Sequence, residues 1–349
     1  MKYFLLLPLI LLSACQMNQP AQEEGQEGPT IQSFDAPYQT KGSIEIMDST
    51  MLNYIAVDAP LEILAEGFTW SEGPLWIPEQ SFLIFSDVPM NRIYRWQESK
   101  GIDVYLTPSG YTGETTRGGE PGSNGLTLTP EGKLMLCQHG DRRVAMMNVA
   151  LDAPQSQFET IASAFEGKKL NSPNDLAYSS SGHLYFTDPP YGLQQQDKDP
   201  AKELSFQGVF KVDTAGSISL QIDSLTRPNG IACSPDGRTL YVANSDPEKA
   251  RWMAYDLDEE GNVVTGRILL DVTAYVGEAN PGLPDGLKIH PDGTLFATGP
   301  GGVWVIRPDG KPLGIIRTVS KTANCAWGPG GYLYMTSHQF LMRVKVAGA

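Results

Sequence analysis

An all-β fold is predicted by a short pattern that returns six times along the chain. Each copy begins with a polar residue, continues through small and apolar residues, and reaches a turn. Two strand-like segments follow each turn, and the segment before each polar residue supplies a candidate fourth strand. Successive polar residues are 52, 50, 55, 56 and 39 residues apart, which is near the length of one β-propeller blade. We therefore expect a six-bladed β-propeller of four-stranded antiparallel blades.

The repeated elements can be placed one after another. The polar residues that open the copies are Glu72, Asn124, Asn174, Asn229, Asp285 and Asn324. The second strands are expected at 82–85, 133–136, 183–186, 239–242, 294–297 and 332–335. The third strands are expected at 92–95, 143–146, 208–211, 252–255, 302–305 and 341–344. No helical pattern of convincing length separates them, which argues against a TIM barrel or a doubly wound sheet.

The two ends of the repeat region complement each other. The last copy has sequence for only three strands, whereas residues 61–65 are predicted to form a strand that belongs to no other blade. Because an unpaired sheet edge is unfavourable, we expect residues 61–65 to close the last blade.

The first 45 residues have a different character. Lys2 precedes a short apolar run that ends in Leu-Ser-Ala-Cys15, which is typical of a bacterial lipoprotein signal. We expect a signal peptide over 1–14, a lipidated Cys15 with a flexible tether over 15–45, and a propeller domain over 46–349. The expected location is the bacterial cell envelope, on the periplasmic face of the outer membrane in a Gram-negative host, and the lipid anchor is the expected membrane contact. The three other cysteines have no spacing that indicates a disulfide framework.

Composition excludes some classes of partner. The formal net charge is −14 and no Lys/Arg-rich run occurs, so a nucleic-acid partner is not expected. A small molecule is the expected partner. The oligomeric state is left open, with a monomer favoured.

The six polar residues also indicate a metal site. In a propeller the innermost strands surround the central axis, so equivalent residues at their starts form a ring. All six side chains carry oxygen and none is His or Cys, which favours Ca²⁺ over zinc, with Mg²⁺ or Mn²⁺ behind it. The channel along the axis is too wide for all six side chains to bind one ion.

Four segments resemble the SMP-30/gluconolactonase (regucalcin-like) family. They are Ser71–Trp76, Asn171–Leu176, Arg227–Ile231 and Pro284–Leu287. The resemblance covers roughly residues 60–345 and implies a six-bladed propeller with one catalytic divalent cation that hydrolyses sugar lactones. It implies Glu72, Asn174, Asn229 and Asp285 as metal ligands and Asp285 as general base, with hydroxide on the ion as the alternative nucleophile. Ser172 stands where some members have Arg.

Further residues are candidates for contacts with substrate. Asn124 and Asn174 belong to the ring, while His139 follows a second strand and Tyr191 opens a long loop. His139 is a candidate proton shuttle, although a structural histidine is the commoner case. The loops at 107–123 and 188–205 are expected to wall the pocket.

We therefore expect a Ca²⁺-dependent lactonase with a metal-polarised carbonyl and an activated water. Motifs for a serine hydrolase, a zincin and a dinucleotide-binding fold do not occur. Two alternatives remain open at this point: a phosphotriesterase on the same metal site, and a non-catalytic, calcium-stabilised propeller that binds a glycan or a protein.

Overall fold

The computed structural model describes residue 1 and residues 30–348. Cys15 and all of the predicted signal peptide except Met1 lie outside the described residues, so the lipid anchor stays a prediction. Among the residues that are described, no helix is long and apolar enough to cross a membrane.

Six antiparallel blades of four strands each confirm the predicted propeller, and the sheets of blades 5 and 6 carry further short strands. Blade 1 contains Ser71–Ile77, Phe82–Asp87, Arg92–Gln97 and Gly101–Leu106. Blade 2 contains Ser123–Leu128, Leu134–Gln138, Arg143–Met147 and Phe158–Ala162. Blade 3 contains Leu176–Tyr178, Leu184–Asp188, Gly208–Val212 and Ile218–Ile222. Blade 4 contains Pro228–Cys233, Thr239–Asn244, Arg251–Leu257 and Val263–Asp271. Blade 5 contains Leu287–Ile289, Leu295–Gly299, Gly302–Ile306 and Pro312–Arg317. Blade 6 contains Asn324–Gly328, Tyr332–Ser337, Phe340–Lys345 and Glu62–Glu66.

Short elements complete the described chain. Ala164–Phe165 and Lys168–Lys169 form a separate hairpin. The 3₁₀ turns are Ser49–Asn53, Gln196–Lys198, Thr273–Tyr275 and Pro329–Gly331.

The blades are held together by apolar clusters that lie between neighbouring sheets. Because side chains alternate along a strand, Leu83 and Phe85 pack toward blade 6 while Phe82 and Ile84 pack toward blade 2. Both faces of a blade are therefore buried, which explains the nearly continuous apolar runs of the second strands.

The propeller closes as the sequence predicts. Glu62–Glu66 pairs antiparallel with Phe340–Lys345, with Ala65 opposite Leu341 and Ile63 opposite Met342. Leu64 and Ala65 are fully buried in the cluster between blades 6 and 1. The start of the propeller is thus held to its end by both hydrogen bonds and apolar burial.

Residues before position 46 also pair with the blades. Ser43–Ile46 adds a fifth strand to blade 5, while Gln32–Ser33 and Gln39–Thr40 pair with Glu62–Glu66. Ile44 packs into the cluster between blades 5 and 6. The described end of the predicted tether, residues 30–45, therefore contains paired strands, because the alternation Ser-Ile-Glu-Ile at 43–46 fits a half-buried strand despite its polar surroundings.

The ring residues differ slightly in their place relative to the regular strands. Glu72, Asn124, Asn229 and Asn324 lie within innermost strands, whereas Asn174 and Asp285 come two residues before the strands that begin at Leu176 and Leu287. The backbone N–H of Asn174 still donates to Thr187 O at 2.8 Å, and that of Asp285 donates to Thr298 O at 3.0 Å. Both residues are therefore held against the second strand of their blade.

Candidate active site

A cavity of about 470 Å³ opens where the innermost strands begin, and its lining includes five of the six ring residues. We call these five the polar cluster: Glu72, Asn124, Asn174, Asn229 and Asp285. They come from five different blades, so their meeting depends on the propeller as a whole. Tyr191 lines the same cavity.

The tight turn of the backbone after Glu72 fixes its carboxylate. Glu72 is 2% exposed, and its Oε2 accepts the backbone N–H of Gly73 at 3.1 Å. Gly73 has a φ of +48°, and a Cβ at this position would lie 2.1 Å from Asn124 O. Only glycine allows this approach of blade 1 to blade 2.

Hydrogen bonds orient two of the asparagine side chains. The Asn229 amide donates from Nδ2 to Ser245 Oγ at 3.0 Å, and the Ser245 hydroxyl in turn donates to Pro284 O. This leaves Oδ1 of Asn229 as the atom available to a ligand. In blade 3, Asn174 Nδ2 lies 3.5 Å from His139 Nε2, which leaves Asn174 Oδ1 available in the same way.

A repeated polar contact positions three of these residues. Asp87 accepts the backbone N–H groups of Thr69 and Trp70 at 3.0 and 3.1 Å, just before Glu72. Asp188 accepts those of Asn171 and Ser172, both at 2.7 Å, just before Asn174.

Asn244 Oδ1 accepts the N–H of Arg227 at 2.8 Å, two residues before Asn229. Asp87, Asp188 and Asn244 each end the second strand of their blade. We call these three residues the strand-end clamps. In blades 1, 3 and 4 they hold the backbone N–H of the residue that lies two positions before the polar-cluster residue.

The cavity is electrostatically unfavourable for its own carboxylates. Burial and the neighbouring Asp175 raise the pKa of Glu72 to about 8. Burial and the charge of Glu72 likewise raise the pKa of Asp285 well above its usual range. Two buried carboxylates that repel one another are stabilised by a cation between them.

The donor set fits a hard divalent cation. Oδ1 atoms of Asn124, Asn174 and Asp285 are buried and have no hydrogen-bond partner among the described residues. Buried polar atoms without a partner are rare unless a ligand satisfies them. Within residues 30–348 no three His, Cys, Asp or Glu side chains group as a metal site, so the oxygens of asparagine amides have to complete the set. Such all-oxygen sites suit Ca²⁺.

The remaining predicted residues lie at or behind the cavity. His139 is fully buried, and its Nδ1 lies 3.4 Å from Glu120 Oε2; its contact with Asn174 places it behind the polar cluster. Asn324 is outside the cavity lining, and its Oδ1 accepts the N–H of Cys325 at 2.9 Å. Tyr191 lies near Asp285, and burial raises the pKa of its hydroxyl.

Other residues of the site have no recognisable signal in the sequence. Glu120 comes from the link between blades 1 and 2 and lines the cavity. Asp175 is 3% exposed and accepts the N–H of Leu176 at 2.9 Å. A single acidic residue in a glycine-rich loop, or one following Asn174, does not stand out, because its role depends on contacts between blades.

Ser172 has a structural role in this chain. Its hydroxyl donates to Pro189 O at 2.6 Å and accepts the N–H of Gly192 at 2.9 Å. Ser172 therefore closes the turn that carries Tyr191 into the cavity.

Comparisons with known proteins show what this chain resembles. The family model described as the SMP-30/gluconolactonase/LRE-like region matches residues 70–339. A gluconolactonase of Zymomonas mobilis is 39% identical over 313 residues, covering 88% of this chain and 86% of that protein. A regucalcin of Xenopus laevis is 26% identical and covers 79% of this chain and 85% of its own length. The solved structure of a gluconolactonase from Xanthomonas campestris aligns with a TM-score of 0.76 at 28% identity, covering 91% of this chain and 99% of that one.

Proposed function

Because this chain belongs to the SMP-30/gluconolactonase/LRE-like family, we propose that it is a metal-dependent hydrolase of sugar lactones. The observation that carries the proposal is the polar cluster, in which side-chain oxygens from five blades converge on one cavity. A relative that is 39% identical and is named a gluconolactonase supports the choice of substrate class.

The residues that would hold the metal are Glu72, Asn174, Asn229 and Asp285, and Ca²⁺ is the proposed ion, with Mg²⁺ or Mn²⁺ as substitutes. When bound, the cation supplies Lewis-acid polarisation of the lactone carbonyl. The partnerless oxygens of Asn174 and Asp285 support this assignment.

In the reaction, a water oxygen adds to the carbonyl carbon of the lactone and the bond from that carbon to the ring oxygen breaks. One proton of the water leaves during attack and the ring oxygen takes up a proton, so the product is the hydroxy acid. We assign Asp285 as the acceptor of the water proton, because its carboxylate lines the cavity and the family resemblance implies it as the general base.

The remaining cavity residues orient the substrate. Asn124 presents a buried amide oxygen without a partner among the described residues, and Tyr191 lines the cavity. Both suit hydrogen bonds to the ring substituents of a sugar lactone. His139 supports Asn174 from behind, which makes it a positioning residue in this proposal.

A matched pair of variants tests the proposal. Glu72→Gln removes the charge of a buried polar-cluster residue, whereas Glu79→Gln changes an exposed residue of the same blade. Hydrolysis of glucono-δ-lactone above the spontaneous rate, measured by acid release with Ca²⁺ present, is expected for wild type and Glu79→Gln. Glu72→Gln should lose at least about 100-fold in rate. Equal rates in both variants would refute the assigned site, and hydrolysis of a phosphotriester but no lactone would refute the substrate class.

A further inference from the structure

Most apolar residues that line the cavity lie on one side of it and take no part in the proposed chemistry. We call the residues Trp70, Pro247, Val276, Pro281 and Leu283 the apolar wall. Four of them come from blade 4 or from the link between blades 4 and 5, whereas Glu120 comes from the link between blades 1 and 2. In a six-bladed ring these two links lie on opposite sides of the axis, so most of the apolar lining residues lie on one side, where Glu278 adds one carboxylate.

The apolar wall is a fixed surface. Val276 and Leu283 pack against the apolar cluster between blades 4 and 5. The segment between them is closed by a bridge from Gly277 to Asn280, and Gly301 N donates to Pro281 O at 3.0 Å.

Contacts from blade 5 support the same segment from behind. Arg317 Nη1 donates to Asn280 Oδ1 at 2.7 Å, while Arg317 Nε donates to Glu45 Oε2 at 2.6 Å. Glu45 lies on the strand Ser43–Ile46 that extends blade 5. The wall is therefore preorganised to present apolar side chains to whatever fills the cavity.

Size and charge restrict what that ligand can be. A cavity of about 470 Å³ lies within the range of roughly 300–1,000 Å³ found for drug-sized ligands, so it has room beyond a single ring. Besides the two carboxylates assigned to the metal, Glu120 and Glu278 line it against one lysine, Lys321. Acidic lining disfavours a substituent that carries phosphate or carboxylate.

We propose that this cavity takes a neutral lactone with an apolar substituent that extends from the ring onto the apolar wall. The inference rests on the proposed lactone hydrolysis and specifies its substrate. Burial of the substituent against Val276 and Leu283 would give selectivity, while the polar cluster acts on the ring common to all such substrates.

Two lactones that share one ring test the inference. The probes are δ-valerolactone, which has no substituent, and δ-nonalactone, which adds a butyl group to the same ring. We expect kcat/KM for δ-nonalactone to exceed that for δ-valerolactone by at least about tenfold, since even one buried methylene is worth about tenfold or more. Glucono-δ-lactone serves as the test of lactone hydrolysis itself.

Variants with side chains of nearly equal size show whether the apolar wall causes the difference in kcat/KM. Val276→Thr keeps the shape of the wall but adds a hydroxyl, so the ratio of the two kcat/KM values should fall at least about threefold. Val264→Thr is the matched control, because Val264 is 67% exposed on the outermost strand of blade 4; it should leave the ratio unchanged. Leu283→Asn should lower the ratio as Val276→Thr does.

The outcomes separate the two proposals. A ratio near one in the wild type, or a ratio that Val276→Thr and Leu283→Asn leave unchanged, overturns the assignment of the apolar wall even when glucono-δ-lactone is hydrolysed. If none of the three lactones is hydrolysed in the presence of Ca²⁺, the proposed function itself is wrong.

Discussion

The polar cluster and the apolar wall face the same cavity but originate in different parts of the fold. The polar cluster comes from one register position repeated in five blades, while most of the apolar wall comes from a single link and an adjacent turn. Sheet pairing fixes the first group, because each blade presents its innermost strand to the axis in the same way. The link is outside that sheet pairing, so we expect substitutions in the apolar wall to alter selectivity without displacing the polar cluster.

The largest effect is expected from changing a charge in the polar cluster. Asp285→Asn keeps the size and one oxygen but cannot accept a proton from water, so the rate should fall about 10²–10⁴-fold. The loss should remain at saturating Ca²⁺ if Asp285 acts as a base. The rate of lactone hydrolysis, measured as a function of Ca²⁺ concentration, tests this prediction.

The control for that change is Asp58→Asn, which alters an exposed carboxylate and should have wild-type activity. Full recovery of Asp285→Asn at high Ca²⁺ would show that Asp285 serves only as a ligand. Full activity of Asp285→Asn without added Ca²⁺ would contradict the site itself.

A smaller effect is expected from a strand-end clamp. In Asp188 each carboxylate oxygen accepts one backbone N–H group at 2.7 Å, and Asp188→Asn replaces one of these two acceptor oxygens with an NH₂ donor. We expect a loss of about 1–3 kcal/mol of stability and, because Asn174 shifts, a roughly tenfold lower kcat for the folded protein.

Asp213→Asn is the matched control for the clamp. Asp213 accepts the N–H groups of Ala215 and Ser217 at 2.9 and 2.8 Å, but it lies in the turn between the third and fourth strands of blade 3. Both N–H groups donate to Oδ1 of Asp213, and asparagine keeps one such oxygen, so this variant should lose less stability than Asp188→Asn and should keep its kcat. If Asp188→Asn also keeps its kcat, the clamp stabilises the fold without positioning the site.

The smallest effects are expected at ring residues outside the proposed metal ligands. Asn124→Ala should reduce the rate less than Asp285→Asn does, because the proposal gives Asn124 a single hydrogen bond to the substrate. Asn324→Ala should be milder still, since Asn324 does not line the cavity. If Asn324→Ala loses as much activity as Asp285→Asn, Asn324 takes part in the reaction, contrary to the proposal.

Much of this site follows from the sequence because it follows the repeat. Six copies of one pattern predict both the blades and the ring of polar residues, and the strand at 62–66 is recognisable because the last blade lacks one. The register also places Glu72, Asn174, Asn229 and Asp285 in one cavity.

Residues that act between blades are harder to predict. Asp175 and Glu120 acquire their roles from neighbours that are distant in sequence, and the pairing of Ser43–Ile46 with blade 5 depends on an edge that only the folded propeller offers. The apolar wall has the same origin, because a valine and a leucine in a link resemble any other partly buried residues until the cavity is seen.

Removal and return of Ca²⁺ to the intact protein tests the central claim most directly. The protein is stripped with a chelator, and glucono-δ-lactone hydrolysis and calorimetric Ca²⁺ binding are then measured on the same sample. The account predicts that hydrolysis falls to the spontaneous rate, returns on addition of Ca²⁺, and saturates as one ion binds at the polar cluster, with Glu72→Gln weakening that binding. Full hydrolysis in the stripped protein, or Ca²⁺ binding that Glu72→Gln leaves unchanged, would contradict it.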